Sequence, residues 1–176
     1  MPFPMLVNNH HELLTLNMNE LPMYEDALPG VDAQPLFLDT HRNQWVLRVR
    51  FHPGCQLPAH YHTGAVHIFT TKGRWMYAEY PDQPQTAGCY LYEPGSSVHT
   101  FVVPADATEP AEQLVIVEGA NVNFDADGNY VGMLDANSIT LIIENLVKTR
   151  GQKPARYIRP QLADYTTSGK SEGLAK

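Results

Sequence analysis

From Trp45 to Phe124 the chain is a series of short apolar runs, each closed by a glycine or proline turn. In WVLRVRF, Trp45, Leu47, Val49 and Phe51 alternate with Val46, Arg48 and Arg50, which is the period of a half-buried strand. Pro53-Gly54 ends that run. AVHIFTT, RWMYAEY, CYLYE, HTFVV, EQLVIVEG and NVNF follow, with turn signals at Thr63-Gly64, Lys72-Gly73, Pro81-Asp82, Pro94-Gly95 and Asp127-Gly128. Many short strands at such close spacing predict an all-β fold, a sandwich or a small barrel.

One helix interrupts this pattern. In ANSITLIIENLVKTRG, Ile139, Ile142, Ile143, Leu146 and Val147 recur at helical spacing. Asp135 or Asn137 suits its N-cap, Lys148 and Arg150 suit the negative end of its dipole, and Gly151 can close it. A strand through SITLIIE competes with this helix, and the spacing favours the helix. Residues 1–40, rich in proline, asparagine and short apolar pieces, predict an arm packed on the barrel. Residues 41–150 would form the barrel with its helix, and 151–176 a tail.

The chain has 176 residues, enough for one domain with a substantial core. A formal net charge of −7 and a pI near 5.5 argue against nucleic acid or an anionic membrane as a partner. The start, MPFPMLVNNHHELL, lacks the basic region and apolar core of a signal peptide, and no run is long enough to span a bilayer. Cys55 and Cys89 are too few for a disulfide framework. Together these features predict a cytoplasmic protein with reduced thiols.

Three of the eight histidines fall within PAHYHTGAVHIFT. His60 and His62 are two residues apart, so on a strand their imidazoles project from one face and can grip one ion. Alone, such a pair is more often a surface or core feature. His99, after Pro94-Gly95 in EPGSSVHTFVV, opens a later β run whose face can oppose the first. His10, His11, His41 and His52 lie in the arm, in a polar loop or before a turn, and predict exposed or structural roles. The DADGN stretch at 125–129 superficially resembles a calcium loop, but it lacks the required glycine and distal glutamate and predicts a hairpin turn.

With these residues in view, the chain resembles the cupin superfamily. The first cupin motif (Gly, five residues, HxH, three or four residues, Glu, six residues, Gly) matches Gly54, His60 and His62, with His67 in place of the glutamate and Gly73 one residue early. The second motif matches Gly88, Pro94 and His99. The resemblance implies a double-stranded β-helix, with His60, His62 and His99 as metal ligands. His67 then either takes the glutamate's place at the ion or stands beside it. A carboxylate could instead come from Glu79, if Trp75, Tyr77 and Glu79 share the inner face of their strand. Glu93 and Glu118 are weaker candidates. Imidazole ligands suit Zn, Fe, Ni or Cu. Being neutral, they leave the ion's charge uncompensated, which favours an anionic chelating substrate such as an enolate. A neighbouring Glu79 could then act as the base that removes the substrate proton.

Within the superfamily, HTGAVHIFTTKGRWMYAEY and YLYEPGSSVHTFVVP are similar to the 2,4'-dihydroxyacetophenone dioxygenases. That resemblance implies Fe(II), O2 and cleavage of the bond between a ketone and its hydroxymethyl group, giving an aromatic acid and formate. Glu79 falls where that family has a carboxylate near the iron, and His67 becomes a residue shaping the pocket. Trp75, Tyr77, Tyr61 and Phe101 are candidate partners for an aryl ring, each with core packing as its alternative. The zinc-binding cupins attached to anti-sigma factors are similar too, and imply the competing function of a non-catalytic zinc-binding sensor or small-ligand binder. Small cupins pair through their sheets, which implies a homodimer or homotetramer.

Overall fold

The computed structural model describes residues 13–160 and 164–165. Its strands are β1 (Tyr24–Leu28), β2 (Val31–Asp39), β3 (Gln44–Phe51), β4 (Ala59–His62), β5 (Val66–Lys72), β6 (Arg74–Tyr77) and β7 (Gln85–Thr86). They continue with β8 (Tyr90–Glu93), β9 (Phe101–Val102), β10 (Ala111–Glu118), β11 (Asn121–Phe124) and β12 (Tyr130–Leu134). One helix among the described residues, α1 (Ala136–Arg150), precedes β13 (Ile158–Arg159) and β14 (Asp164–Tyr165). The largest sheet runs β14-β13-β2-β3-β10-β5-β8, with β1 also paired to β2. Two smaller sheets, β12-β11-β4 and β7-β6-β9, complete the barrel, and antiparallel bridges from His60 to His99 and from Gln56 to Val102 tie β4 and β9 together.

The alternation in WVLRVRF decides the inside of this barrel. Trp45, Leu47, Val49 and Phe51 are buried, and Arg48 and Arg50 face outward to the carboxylate of Glu112 on β10. Gly64 and Gly73 sit where strands crowd. A Cβ on Gly64 would lie 2.3 Å from the Glu118 carbonyl oxygen, and one on Gly73 would lie 2.4 Å from that of Pro110. The DADGN stretch is the predicted hairpin turn, joining antiparallel β11 and β12. Cys55 and Cys89 are free thiols. No helix among the described residues is long and apolar enough to cross a membrane.

The helix forms as its pattern predicts. Asp135 is the N-cap, in a reciprocal capping box with Ser138, and Gly151 ends the helix in the left-handed region at φ 60°. Ile139 and Ile143 are buried toward the barrel.

The ends of the chain depart from expectation. An arm is predicted over residues 1–40, yet residues 24–39 are strands of the main sheet, with β2 antiparallel to β3. In VDAQPLFLD almost every residue is buried, because both faces of β2 are covered. Such a strand has no polar phase, so alternation cannot reveal it. Pro35 interrupts it further, and the register slips by one residue between Pro35 and Phe37. Gln34, fully buried, donates to the carbonyls of Met18 and Leu21 and so pins the segment before β1. The predicted tail likewise contributes β13, parallel to β2, and β14 beside it. His10, His11 and the stretch 166–176 lie outside the described residues.

Candidate metal centre

His60 and His62 alternate with Ala59 and Tyr61 on β4, so both imidazoles enter the barrel and both are buried. His99 lies beside them through its bridge to His60 and is also buried. One ligand nitrogen from each of the three lies within 4.8 Å of the other two. His60 Nδ1 donates to the Pro58 carbonyl at 2.8 Å, which leaves the Nε2 lone pair for an ion. Burial, together with the nearby His99 and His62, lowers the His60 pKa to about 4, and burial lowers that of His99. Both rings are therefore neutral at pH 7, the state a metal requires.

A carboxylate completes the group. Glu93, at the end of β8, is buried, with Oε2 2.8 Å from His62 Nε2 and 3.4 Å from His99 Nε2. Those distances would suit hydrogen bonds, yet neither Glu93 Oε2 nor His99 Nε2 has an aligned partner. The atoms converge on a point instead of pairing off, as ligands around a shared cation do. The Tyr77 hydroxyl donates to the other oxygen, Oε1. The donor set fits a divalent transition ion held by His60, His62 and His99, with Glu93 as a fourth ligand or as the charge beside it.

Glu79 and His67 do not join this group. β6 ends at Tyr77 and the chain turns at Ala78, so the alternation that buries Trp75 and Tyr77 stops before Glu79. Glu79 is exposed and accepts from the Thr100 backbone N–H at 3.0 Å; burial is the largest single influence and raises its pKa, but hydrogen bonds from Thr100 and its own backbone, with nearby His99, together hold the carboxyl below the usual range. His67 alternates with buried Val66 and Ile68 and so points out of the barrel, where its ring meets the Tyr90 hydroxyl at 2.8 Å and packs by Tyr92. Glu118 is exposed at the end of β10.

The aromatic candidates divide in the same way. Tyr77 and Phe101 line the interior cavity. Trp75 is fully buried behind them, stacked on Phe101 at 4.9 Å and donating to Thr70 Oγ1 at 2.9 Å. Tyr61 is on the outer face of β4, stacked on Phe124. Of the remaining histidines, His52 pairs with Asp32 at 3.0 Å and His41 is exposed in its loop.

The cavity beside the histidines is walled by apolar side chains such as Val49, Val66, Ile68, Val115, Ile139 and Ile143. Its polar lining is His60, His62, Tyr77, Glu93, Gln113 and Asn121. Tyr77 and Glu93 also border a surface cleft with Tyr80, Tyr92, Ser97 and His99. The cluster therefore stands between the cleft and the interior. Gln113 and Asn121 carry a readable sequence signal that the motif search overlooks: Gln113 occupies the apolar phase of EQLVIVEG.

An all-β barrel with three converging inward histidines on two strand segments is a cupin. Residues 11–120 match the ChrR Cupin-like domain, and the chain belongs to that family. It is 42% identical to a cupin-fold protein of unknown function from Ralstonia eutropha JMP134, over 87% of this chain and 95% of that one, with a TM-score of 0.79. An RmlC-like cupin from the same strain is 24% identical over 81% of this chain and 92% of its own, with a TM-score of 0.73. An acetylacetone dioxygenase from Acinetobacter johnsonii shares the fold at 16% identity and a TM-score of 0.62, over 81% and 97%. No curated protein matches the chain.

Proposed function

We propose that the chain is a non-haem iron dioxygenase that cleaves the carbon-carbon bond next to a ketone, with an aryl α-hydroxyketone such as 2,4'-dihydroxyacetophenone as substrate. Substrate and O2 give the aromatic acid and formate, each product gaining one oxygen atom. The observation that carries this reading is the convergence of three buried histidines and one buried carboxylate beside a cavity that is otherwise apolar.

His60, His62 and His99 hold the ion. Bound Fe(II) supplies the redox chemistry with O2 and favours the enolate form of a chelating ketone. Glu93 replaces Glu79 as the proton acceptor in this reading, because it is the carboxylate at the cluster and Tyr77 orients it through Oε1. Phe101 and the aliphatic walls take the apolar body of the substrate and exclude water. The competing function, a non-catalytic zinc-binding cupin, draws on the same four side chains, with Glu93 closing a four-ligand shell.

Metal analysis of the purified protein separates the two, followed by anaerobic Fe(II) loading and O2 uptake with enolisable ketones. Stoichiometric O2 consumption with release of acid and formate is the expected result. Tightly held zinc, with no uptake by the ferrous protein on any aryl hydroxyketone or β-diketone, overturns it. The homodimer or homotetramer draws support from Phe69, Tyr90 and Tyr92, exposed on the outer face of β5 and edge strand β8, and sedimentation equilibrium measures it.

A further inference from the structure

Four of the six polar side chains lining the cavity have evident work. His60 and His62 belong to the cluster, Glu93 touches it and Tyr77 holds Glu93. Asn121 lies opposite His62 in the β4–β11 register, and its buried Oδ1, an acceptor beside the cluster, has no hydrogen-bond partner. Gln113 is different. It stands in the middle of β10 between Val49 of β3 and Thr70 of β5, among Val115, Ile68 and other apolar side chains of the lining.

Gln113 is 1% exposed, and its Nε2 has no hydrogen-bond partner. Leaving a buried amide donor unpaired is costly, and a leucine at this position would fill the same space without that cost. A polar group kept unpaired at a cavity wall is poised for something that enters the cavity. We propose that Gln113 is a second recognition point, donating a hydrogen bond to a neutral oxygen carried on the apolar body of the substrate, away from the end held at the metal.

The charge of that oxygen follows from the lining. Among the described residues no lysine or arginine lines the cavity, and its one acidic side chain is Glu93. A carboxylate on the far end would be buried without a counterion, whereas a hydroxyl, carbonyl or ether oxygen needs only the amide donor. The substrate class is thus an enolisable ketone on a single apolar body with one further neutral oxygen. This rests on the function proposed above, and the test separates the two.

The zinc-loaded protein, which cannot turn over, is titrated calorimetrically with 2-hydroxy-1-phenylethanone and with its 3'- and 4'-hydroxy and 3'- and 4'-methyl derivatives. Wild type should prefer one hydroxy derivative over its methyl counterpart by about tenfold, the scale of one neutral hydrogen bond. Gln113→Leu should lose that preference, and Gln113→Met should behave likewise. The ligand-free Gln113→Leu protein should melt at or above the wild-type temperature. A melting point lowered by several degrees would mean that the amide has a structural partner, and would overturn the proposal. So would a hydroxy preference that survives in both variants, or wild type binding the hydroxy and methyl ligands equally; in either case the hydroxyketone function stands. If wild type binds none of the ketones, the function fails and takes the role of Gln113 with it.

Discussion

Acid should dismantle the metal-free protein from its centre, and the size of the effect follows from His60. That side chain is 4% exposed, and its pKa falls from an ordinary 6.5 to about 4. Burial is the main cause, followed by the nearby His99 and His62 rings, with the Pro58 carbonyl and Glu93 opposing them. The folded state therefore refuses a proton that the unfolded chain accepts below pH 6.5. Stability is full above that pH and is lost as pH falls toward 4, at about 1.4 kcal/mol per pH unit, or about 3 kcal/mol in all. His99, lowered in the same direction by burial, adds to the loss. A loss of this size is a large share of a typical domain's net stability. Urea unfolding of metal-free protein at intervals from pH 7.5 to 4.5 measures it, with His60→Gln as a non-titrating control. Wild type should lose about 2.5 kcal/mol more than the variant across that window. A flat wild-type profile, or a variant whose profile runs parallel, would refute the claim that burial at the histidine cluster sets the acid limit.

Glu93→Gln should weaken metal binding by roughly 10- to 100-fold in a chelator competition, because the amide cannot balance the ion's charge; unchanged affinity would remove Glu93 from the centre. His67→Ala should leave metal stoichiometry intact, since the ring faces Tyr90 on the outside of the barrel, and loss of bound metal on analysis would contradict that orientation. Gly64→Ala should destabilise the fold by about 3 kcal/mol and lower the melting temperature by roughly 10 °C, because the added methyl would meet the Glu118 carbonyl at 2.3 Å. Wild-type melting would show that the two backbones separate freely.

The same property of the chain made part of this protein legible and hid the rest. Where a strand has one wet face, its period appears in the letters, and the inward placement of His60, His62, Trp75 and Tyr77 follows from it. His67 obeys the same rule, since buried Val66 and Ile68 flank it, and it faces outward although it stands where the cupin motif has a glutamate. Glu79 failed for a different reason. Alternation holds only while the strand lasts, and β6 ends before reaching it. Glu93 could be read in YLYE, where it shares a face with Leu91 and immediately precedes the turn that leads to His99. Strand β2 could not, because a strand covered on both faces has nothing to alternate.

That hidden strand bears on selectivity. The motifs span residues 54–99 and supply the ligands, yet the cavity wall is built largely from outside them. Ala27 and Leu28 from β1, Val31 and Ala33 from β2 and Trp45, Leu47 and Val49 from β3 enclose it from one end of the chain. Leu134 and the three isoleucines of α1 close it from the other. The three histidines and Glu93 therefore come from the motif-bearing stretch, while the shape of the cavity depends on segments with no motif at all. Two chains with the same histidines can enclose cavities of different shape, so a ligand set by itself does not name a substrate. In this chain the wall offered to a ligand is written in the apolar residues at the two ends, with two buried amides, Gln113 and Asn121, each holding an unpaired atom among them.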